Sequence, residues 1–279
     1  MSELHLRWID GRWVDGRFTE DVRPRGSARG VFETLRCRDG SPELVEAHLR
    51  RLEQGARALA LPWPPLADLR AALADLARAR PRGTWRLRIV YALDELGPVA
   101  CADARPHAEP SGAIELWTAP PGSFPEKNTE IKTIAREPYE RWRERARAVG
   151  AWDALLCDAR GDVLEATVAN VFLALDGELV TPPLATGVLP GIVRGVLLDD
   201  LERRLPPAVR GVVERTIEPE DLARASEVLL TSSLVGVLGA DRILGTAAAA
   251  HLPGRRGPVA EALGRRLGEI VGADRRTTP

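Results

Sequence analysis

The sequence predicts an α+β protein in two domains. Three observations carry that expectation: alternating polar and apolar runs closed by Asp-Gly pairs, longer stretches with apolar residues at helical spacing, and the break at Pro120-Pro121-Gly122-Ser123-Phe124-Pro125. At 279 residues the chain is long enough for two domains of ordinary size. The expected division is an N-terminal α+β domain over 1–119, a linker over 120–125 and a C-terminal α+β domain over 126–279.

Taken in order, Leu4 to Trp8, Asp10-Gly11 and Arg12 to Val14 read as a hairpin with a tight turn. Gly30 to Cys37 reads as a strand ended by Asp39-Gly40. A helix is expected from Glu43 to about Leu59, with Leu44, Ala47, Leu52 and Leu59 among its apolar positions. Leu61-Pro62-Trp63-Pro64-Pro65 stops it, since proline lacks the helical N–H. Leu66 to Arg80 is a second amphipathic helix, and Trp85 to Ala92 and Ala113 to Ala119 are strands. Beyond the break, Thr129 to Ile134 alternates as a strand, and a helix runs from about Pro138 to Val149 with Gly150 as its stop. Ala154 to Cys157, Val163 to Glu165 and Asn170 to Leu175 are short strands, the last turning at Asp176-Gly177 into Glu178 to Thr181. A loop rich in proline and glycine leads into a helix from Gly191 to about Arg204. Val212 to Thr216 and Val228 to Thr231 are strands flanking a short helix, Pro219 to Arg224, and Gly257 to Ile270 is the closing helix.

The composition, 44% apolar and 28% charged, is that of a soluble globular protein. A formal net charge of −1 gives no electrostatic reason to expect nucleic acid or an anionic membrane as partner. Basic residues are interspersed with acidic ones, as in Glu140-Arg141-Trp142-Arg143-Glu144-Arg145, which reads as a solvated helix face. No apolar run approaches the roughly 20 residues of a bilayer span, and the first residues lack a secretory apolar region. Cys37, Cys101 and Cys157 are odd in number, far apart and without metal-ligand spacing. They read as packed thiols in a reducing compartment, so the cytoplasm is the expected location and no metal is expected.

Two lysines, Lys127 and Lys132, stand against 37 arginines. The bias toward arginine, alanine, glycine and proline is that of a GC-rich genome, so scarcity alone assigns nothing. An ammonium, unlike a guanidinium, can lose its proton in suitable surroundings and form a Schiff base. Lys132 lies in the alternating stretch Thr129-Glu130-Ile131-Lys132-Thr133-Ile134, which gives its side chain a defined depth in a sheet, whereas Lys127 reads as loop. Two leftover surface lysines are the plain alternative.

Other residues could serve the same chemistry. Val188-Leu189-Pro190-Gly191-Ile192-Val193-Arg194 is a turn feeding a helix, and the amides of Ile192 and Val193 fall in its unpaired first turn, which suits a phosphate. Thr231-Ser232-Ser233 ends an apolar strand and offers hydroxyls and amides of the same kind, or equally a helix N-cap. In His48-Leu49-Arg50-Arg51-Leu52 one arginine must face the apolar side of the helix or its edge, where a planar anion suits a guanidinium. A pair of exposed arginines and a packed histidine read the same way. Glu165, between Leu164 and Ala166, is costly to bury unless it meets a cation or a protonated ring nitrogen, and could otherwise be an edge-strand glutamate.

The order and spacing of these pieces are specific together. Gly30-Val31-Phe32-Glu33-Thr34-Leu35-Arg36 is followed by Asp39-Gly40, His48-x-x-Arg51-Leu52, Ile131-Lys132-Thr133 and Gly161-x-x-x-Glu165-x-x-x-x-Asn170-x-Phe172. Thr181-Pro182-Pro183, Leu189-Pro190-Gly191-Ile192-x-Arg194 and Leu230-Thr231-Ser232-Ser233 close the series. From about residue 4 to residue 245 the sequence resembles the class IV aminotransferases, the fold-type IV enzymes that use pyridoxal 5'-phosphate. That family includes branched-chain and D-amino acid aminotransferases, some R-selective amine transaminases and aminodeoxychorismate lyase.

The resemblance implies a two-domain fold like that of D-amino acid aminotransferase, a homodimer, and roles for individual residues. Lys132 would carry the cofactor as a Schiff base and then move the substrate's α-proton. Glu165 would pair with the pyridinium nitrogen. Arg51 would bind the phosphate, with the amides of Ile192 and Val193 and with Ser232 and Ser233. Phe32, Thr34, Arg36 and Arg88 would face the substrate. Two departures stand out. Relatives commonly carry a Tyr/Phe-Gly-x-Gly run where this chain has Ser27-Ala28-Arg29-Gly30, and the strand ending Ile89-Val90-Tyr91-Ala92-Leu93 lacks an Arg-Gly used elsewhere to grip a substrate carboxylate. Arg88, Arg29 or Arg36 is expected in its place.

The first function expected is transamination between an amino acid or amine and a 2-oxo acid. The second is 4-amino-4-deoxychorismate lyase activity, which releases pyruvate and 4-aminobenzoate. Its support is Thr34, a hydroxyl that lyase relatives often carry near the lysine and that could equally be a β-branched strand residue. A cofactor-binding protein without turnover is a third reading, weakened by the presence of Lys132, Glu165 and Arg51 together.

Overall fold

The computed structural model describes residues 4–9, 12–15, 29–62, 64–94, 97–126, 129–245 and 252–277, with 4–15 described by backbone alone. The expected Asp10-Gly11 turn, Ser27-Ala28, Trp63 and Lys127 lie outside the described residues. Two compact units are drawn from 1–109, 131–135 and 273–279, and from 110–130 and 136–272.

In the first unit, β1 (Leu4–Ile9), β2 (Arg12–Asp15), β3 (Arg29–Arg38), β4 (Ser41–Pro42), β5 (Thr84–Asp94) and β6 (Gly97–Pro106) form an antiparallel sheet in the order β2-β1-β6-β5-β3-β4. Helices α1 (Val45–Ala58) and α2 (Leu66–Arg78) cover one face. Side chains alternate along a strand, so Val31, Leu35 and Cys37 of β3 and Trp85, Leu87, Ile89 and Tyr91 of β5 meet Leu49 and Leu52 of α1 and Leu69, Leu73 and Leu76 of α2. Each leucine buried in this way contributes about 1.5–3 kcal/mol. Strand β6, not expected from sequence, carries its alternation on Ala100, Ala102 and Ala104, small residues bounded by Pro98 and Pro106.

Residues 131–135 belong to this first unit, although the sequence reading put them in the C-terminal domain. Phe32 N donates to Lys132 O at 3.0 Å, Ile134 N donates to Gly30 O at 3.0 Å, and Val31 and Thr133 form a bridge. The segment is a single bridge on the edge of β3, shorter than the strand its alternation predicts, because it is paired on this one side. Gly30 is what the approach requires: a Cβ there would lie 2.6 Å from the Ala92 Cβ and 3.0 Å from Ile134 Cδ1.

The second unit contains β7 (Glu115–Thr118), α3 (Glu137–Ala148), β8 (Asp153–Cys157), β9 (Val163–Ala166), β10 (Asn170–Leu175), β11 (Glu178–Thr181), α4 (Ile192–Leu201), β12 (Gly211–Glu214), α5 (Pro219–Arg224), β13 (Glu227–Ser232), β14 (Gly236–Gly239), β15 (Arg242–Leu244) and most of α6 (Pro258–Thr277). The strand order is β12-β11-β10-β9-β8-β7-β15, with β13 pairing β10 and β14. Strands β8 and β10 are buried at every position, as expected for strands covered on both faces. Strand β7, expected in the N-terminal domain, pairs with β8 and β15 here. The expected linker is also part of this unit: Gly122 N donates to Asp158 O and Phe124 N to Cys157 O, which ties 120–125 to the end of β8. Helix α4 stops at Leu201, three residues short of the expected end, and α6 continues to Thr277.

Among the described residues no helix is long and apolar enough to cross a membrane, and no group of three or more His, Cys, Asp or Glu is placed to hold a metal. Cys37 and Cys157 are buried, and burial pushes their thiols up to about 11 and about 12.

Candidate active site

Strand β3 presents two faces, and both carry polar residues. On the helix face Glu33 is fully buried between Val31 and Leu35. His48 and Arg51, one turn apart on α1, converge on it. Arg51 Nε donates to Glu33 Oε1 at 2.7 Å and Arg51 Nη2 to Oε2 at 2.7 Å, while His48 Nδ1 lies 2.7 Å from Oε2. Burial alone would raise the Glu33 carboxyl, but the charges and hydrogen bonds of Arg51 and His48 outweigh it and hold the group at about 2. His48 is pushed down, chiefly by burial and further by Arg51 and Lys132, against the pull of Glu33.

On the opposite face of β3, Phe32 supports two cations. The Lys132 Nζ lies 4.7 Å from its ring centroid and the Arg88 guanidinium 4.4 Å. Arg88 sits on β5 directly across from Thr34, so the two side chains share this face. Lys132 and Thr34 are half-buried. Arg36 is engaged elsewhere: its Nε donates to Glu43 Oε2 at 2.9 Å in a buried pair. Arg29 is exposed and donates from Nη1 to Leu59 O at 3.4 Å.

In the second unit a row of polar residues crosses three strands. Glu165 of β9 is paired in register with Asn170 of β10, and Asn170 with Thr231 of β13, so all three point from one face of the sheet. Val171 and Leu230 point the other way into the apolar core. All three row residues are buried. Glu165 Oε2 accepts from Leu189 N at 3.0 Å and from Asn170 Nδ2 at 3.3 Å, and Oε1 accepts from Tyr139 Oη at 3.4 Å. Burial, and then the charge of Glu165, raise the Tyr139 phenol, so it stays a donor. Arg136 stacks 3.7 Å from the Tyr139 ring centroid and donates to Thr167 O at 2.6 Å.

The start of α4 lies against this row. Asn170 Nδ2 donates to Leu189 O at 2.9 Å, and its Oδ1 packs so close to Gly191 that a Cβ there would overlap it. Gly195 N makes the first helical bond, to Gly191 O, so the amides of Ile192 and Val193 belong to the unpaired first turn. The Thr231 hydroxyl is buried with no hydrogen-bond partner among the described residues. A buried orphan hydroxyl beside a helix start is the donor set that an anion satisfies. Ser232 alternates to the reverse face of β13, and Ser233 follows in the turn.

Of the residues singled out in the sequence, Lys132, Phe32, Thr34 and Arg88 cluster on one face of β3, and Arg51 meets Glu33 on the helix face beside His48, which still feels the charge of Lys132 from the edge of β3. Glu165, Ile192 and Val193 are grouped in the second unit. Arg36 is drawn away from Phe32 by Glu43. Two partners are not assigned a role from sequence, Glu33 and Tyr139, whereas the Thr231 hydroxyl lies in the Thr231-Ser232-Ser233 run expected to offer donors to an anion. Glu33 is visible as an acidic residue inside an apolar strand pattern. Tyr139 had no signal beyond its place in a helix.

A profile of the family described as amino-transferase class IV matches residues 30–243, well over half of the chain. The chain is 30% identical over 195 residues to the bifunctional aminodeoxychorismate lyase / D-amino acid transaminase of Mycobacterium tuberculosis, covering 61% of this chain and 68% of that protein. It is 26% identical over 224 residues to a probable branched-chain-amino-acid aminotransferase of Thermotoga maritima, covering 76% and 77% of the two chains. The PLP-bound structure of a hypothetical aminotransferase from Mycobacterium tuberculosis superposes with a TM-score of 0.81 at 25% identity, covering 98% of this chain and 100% of that one. The two-unit α+β architecture is therefore the fold-type IV arrangement, and the chain belongs to the class IV aminotransferases, enzymes that use pyridoxal 5'-phosphate.

Proposed function

We propose that this enzyme moves an amino group from an α-amino acid to a 2-oxo acid, with Lys132 as the covalent anchor of the cofactor and the group that carries the substrate's α-proton. The observation that carries this reading is the placement of the Lys132 Nζ over Phe32 beside Arg88. That contact puts an amine, which unlike a guanidinium can lose its proton and form a Schiff base, on the face that carries Phe32, Thr34 and Arg88.

Glu165 holds the proton on the cofactor's ring nitrogen. Three donors, from Leu189, Asn170 and Tyr139, fix its carboxylate for that purpose. Arg51, the amides of Ile192 and Val193, the Thr231 hydroxyl and Ser233 bind the phosphate, while Ser232, on the reverse face of β13, does not. The orphan Thr231 hydroxyl and the open first turn of α4 support that assignment. When bound, pyridoxal phosphate supplies an electron sink for the carbon that bears the amino group. Arg88 orients the substrate carboxylate, because Arg36 is committed to Glu43 and Arg29 is exposed. A homodimer, which rests on family resemblance, and a cytoplasmic location, which rests on reading the three cysteines as packed thiols, complete the reading.

A second reading, elimination of pyruvate from 4-amino-4-deoxychorismate, is favoured by Thr34. Its side chain shares the face of Phe32 and Arg88 on which Lys132 lies. Purified enzyme incubated with D-alanine, L-leucine or an R-amine and a 2-oxo acid should release the corresponding oxo product. Formation of pyruvate and 4-aminobenzoate from aminodeoxychorismate assigns the lyase instead. Lys132→Ala should lose the absorbance band of the lysine Schiff base, and an unchanged Schiff-base band in this variant removes Lys132 from the anchoring role.

A further inference from the structure

The buried group formed by Glu33, His48 and Arg51 is more elaborate than anion binding by an arginine requires. A guanidinium offers five N–H donors, and Glu33 takes one from Nε and one from Nη2 in a two-point fork. The carboxylate is fully buried, and Oε2 is shared with His48 Nδ1. Near neutral pH burial keeps the imidazole uncharged, so Nδ1–H donates and the ring's tautomer is fixed by the same oxygen that fixes Arg51. Both residues sit on α1 one turn apart, and Glu33 is anchored in β3, which pairs with β5 along its whole length, so the fork joins a rigid helix to a rigid strand.

A buried ion pair gains little stability over apolar residues of the same size, so stability alone is a weak reason for this arrangement. Its effect on Arg51 is definite. The fork fixes the plane of the guanidinium and removes the freedom that an anion would otherwise have to freeze out. Glu33 also balances the charge of Arg51, so the arginine can be held in place before any anion arrives.

We propose that Glu33 and His48 are positioning residues for the cofactor phosphate, setting the plane of the Arg51 guanidinium and thereby the preference of the apoenzyme for the phosphate ester over the same ring without phosphate. This rests on the assignment of Arg51 to the phosphate. The consequence is specific: loss of the pair weakens binding of pyridoxal phosphate and leaves binding of pyridoxal nearly unchanged.

The test titrates full-length apoenzyme with pyridoxal 5'-phosphate and, separately, with pyridoxal, following the absorbance of the bound chromophore. Glu33→Gln should lower the ratio of the two affinities roughly 10- to 100-fold, the size of effect seen when an orienting partner behind a ligating residue is lost. His48→Leu should lower it less, and Glu33→Asp should recover part of it. An unchanged ratio in folded Glu33→Gln, judged by near-ultraviolet circular dichroism, overturns the proposal. Where Glu33→Gln does not fold, an unchanged ratio in both His48→Leu and Glu33→Asp overturns it equally. Arg51→Leu separates the two assignments. A ratio unaffected by Arg51→Leu defeats the phosphate role of Arg51 itself, whereas a ratio lowered only by Arg51→Leu defeats the positioning role alone.

Discussion

Glu33 carries a charge in a place without water, and its ionisation depends on Arg51 and His48. Its pH dependence follows from the direction of the shift. A glutamate in an unfolded chain titrates near 4.3, while the folded group is held at about 2. The stabilisation is therefore complete above about pH 5, shrinks as pH falls through that interval, and is gone near pH 2. Replacing Glu33 with Gln breaks the Glu33–Arg51 ion pair by removing its buried partner, at an expected cost of about 3–5 kcal/mol near neutral pH. Urea midpoints of the apo-protein at several pH values check this, and a gap between wild type and Glu33→Gln that fails to narrow below pH 5 contradicts it. Arg88 supports a different prediction. Its removal in Arg88→Ala should raise KM for amino acids about 10- to 100-fold, as expected when a charged hydrogen bond is lost, and should leave KM for a carboxylate-free amine unchanged. Equal effects on both donors would remove Arg88 from carboxylate recognition. Lys132 stands out as a candidate in the sequence because it is nearly alone among arginines, and Arg51 because an arginine of His48-Leu49-Arg50-Arg51-Leu52 has to meet the apolar side of the helix or its edge. Glu33 was legible only as an oddity, since its partners lie 15 and 18 residues away on another element.

The elements show where sequence pattern suffices and where it does not. Helices α1 and α2 and strands β3 and β5 were legible because large apolar residues mark their buried faces. Strand β6 was not, because alanines mark its face and a methyl group gives little contrast with polar neighbours. The lysine segment looked like a full strand, yet alternation reports which face is buried and says nothing about whether a second neighbour exists. Helix α6 depends on a cap that no local motif reveals. Glu227, buried on β13, accepts from the amides of Val259 and Ala260 at 2.8 and 2.9 Å, supplying acceptors to the first turn from 32 and 33 residues away. Gly257 leaves room for that carboxylate, which a Cβ there would overlap. Glu227→Ala should therefore destabilise the protein by about 1–3 kcal/mol, the range for losing a cap and leaving buried donors unmet. Hydrogen exchange is the sharper readout: the first turn of α6 should lose protection before the rest of the second unit, and uniform protection would show that Glu227 does not cap the helix.

At the scale of the whole molecule, the two-domain α+β character was legible, but the division was not. The Pro120 to Pro125 break looked like a linker because proline and glycine interrupt periodicity, and the chain uses it as a turn bound to β8. Residues 131–135 leave the first unit's sequence neighbourhood altogether and join its sheet through hydrogen bonds to Gly30 and Phe32, a long-range pairing that no local window contains. The residues assigned to the cofactor are likewise spread from Arg51 to Ser233, so occupancy should be felt as stability of the native chain. A ligand that binds only the folded state stabilises it by about 2.7 kcal/mol at 100 times its dissociation constant. For a chain of this size that corresponds to a rise in melting temperature of about 5–10 °C. Pyridoxal phosphate added to the apoenzyme should produce a rise of that order, growing with the logarithm of its concentration. Pyridoxal should produce less, because it lacks the group held by Arg51 and the α4 amides. Lys132→Ala should retain part of the rise, since the phosphate and ring contacts survive the loss of the covalent bond. A melting temperature that does not depend on pyridoxal phosphate concentration in wild type would show that these residues do not bind it together.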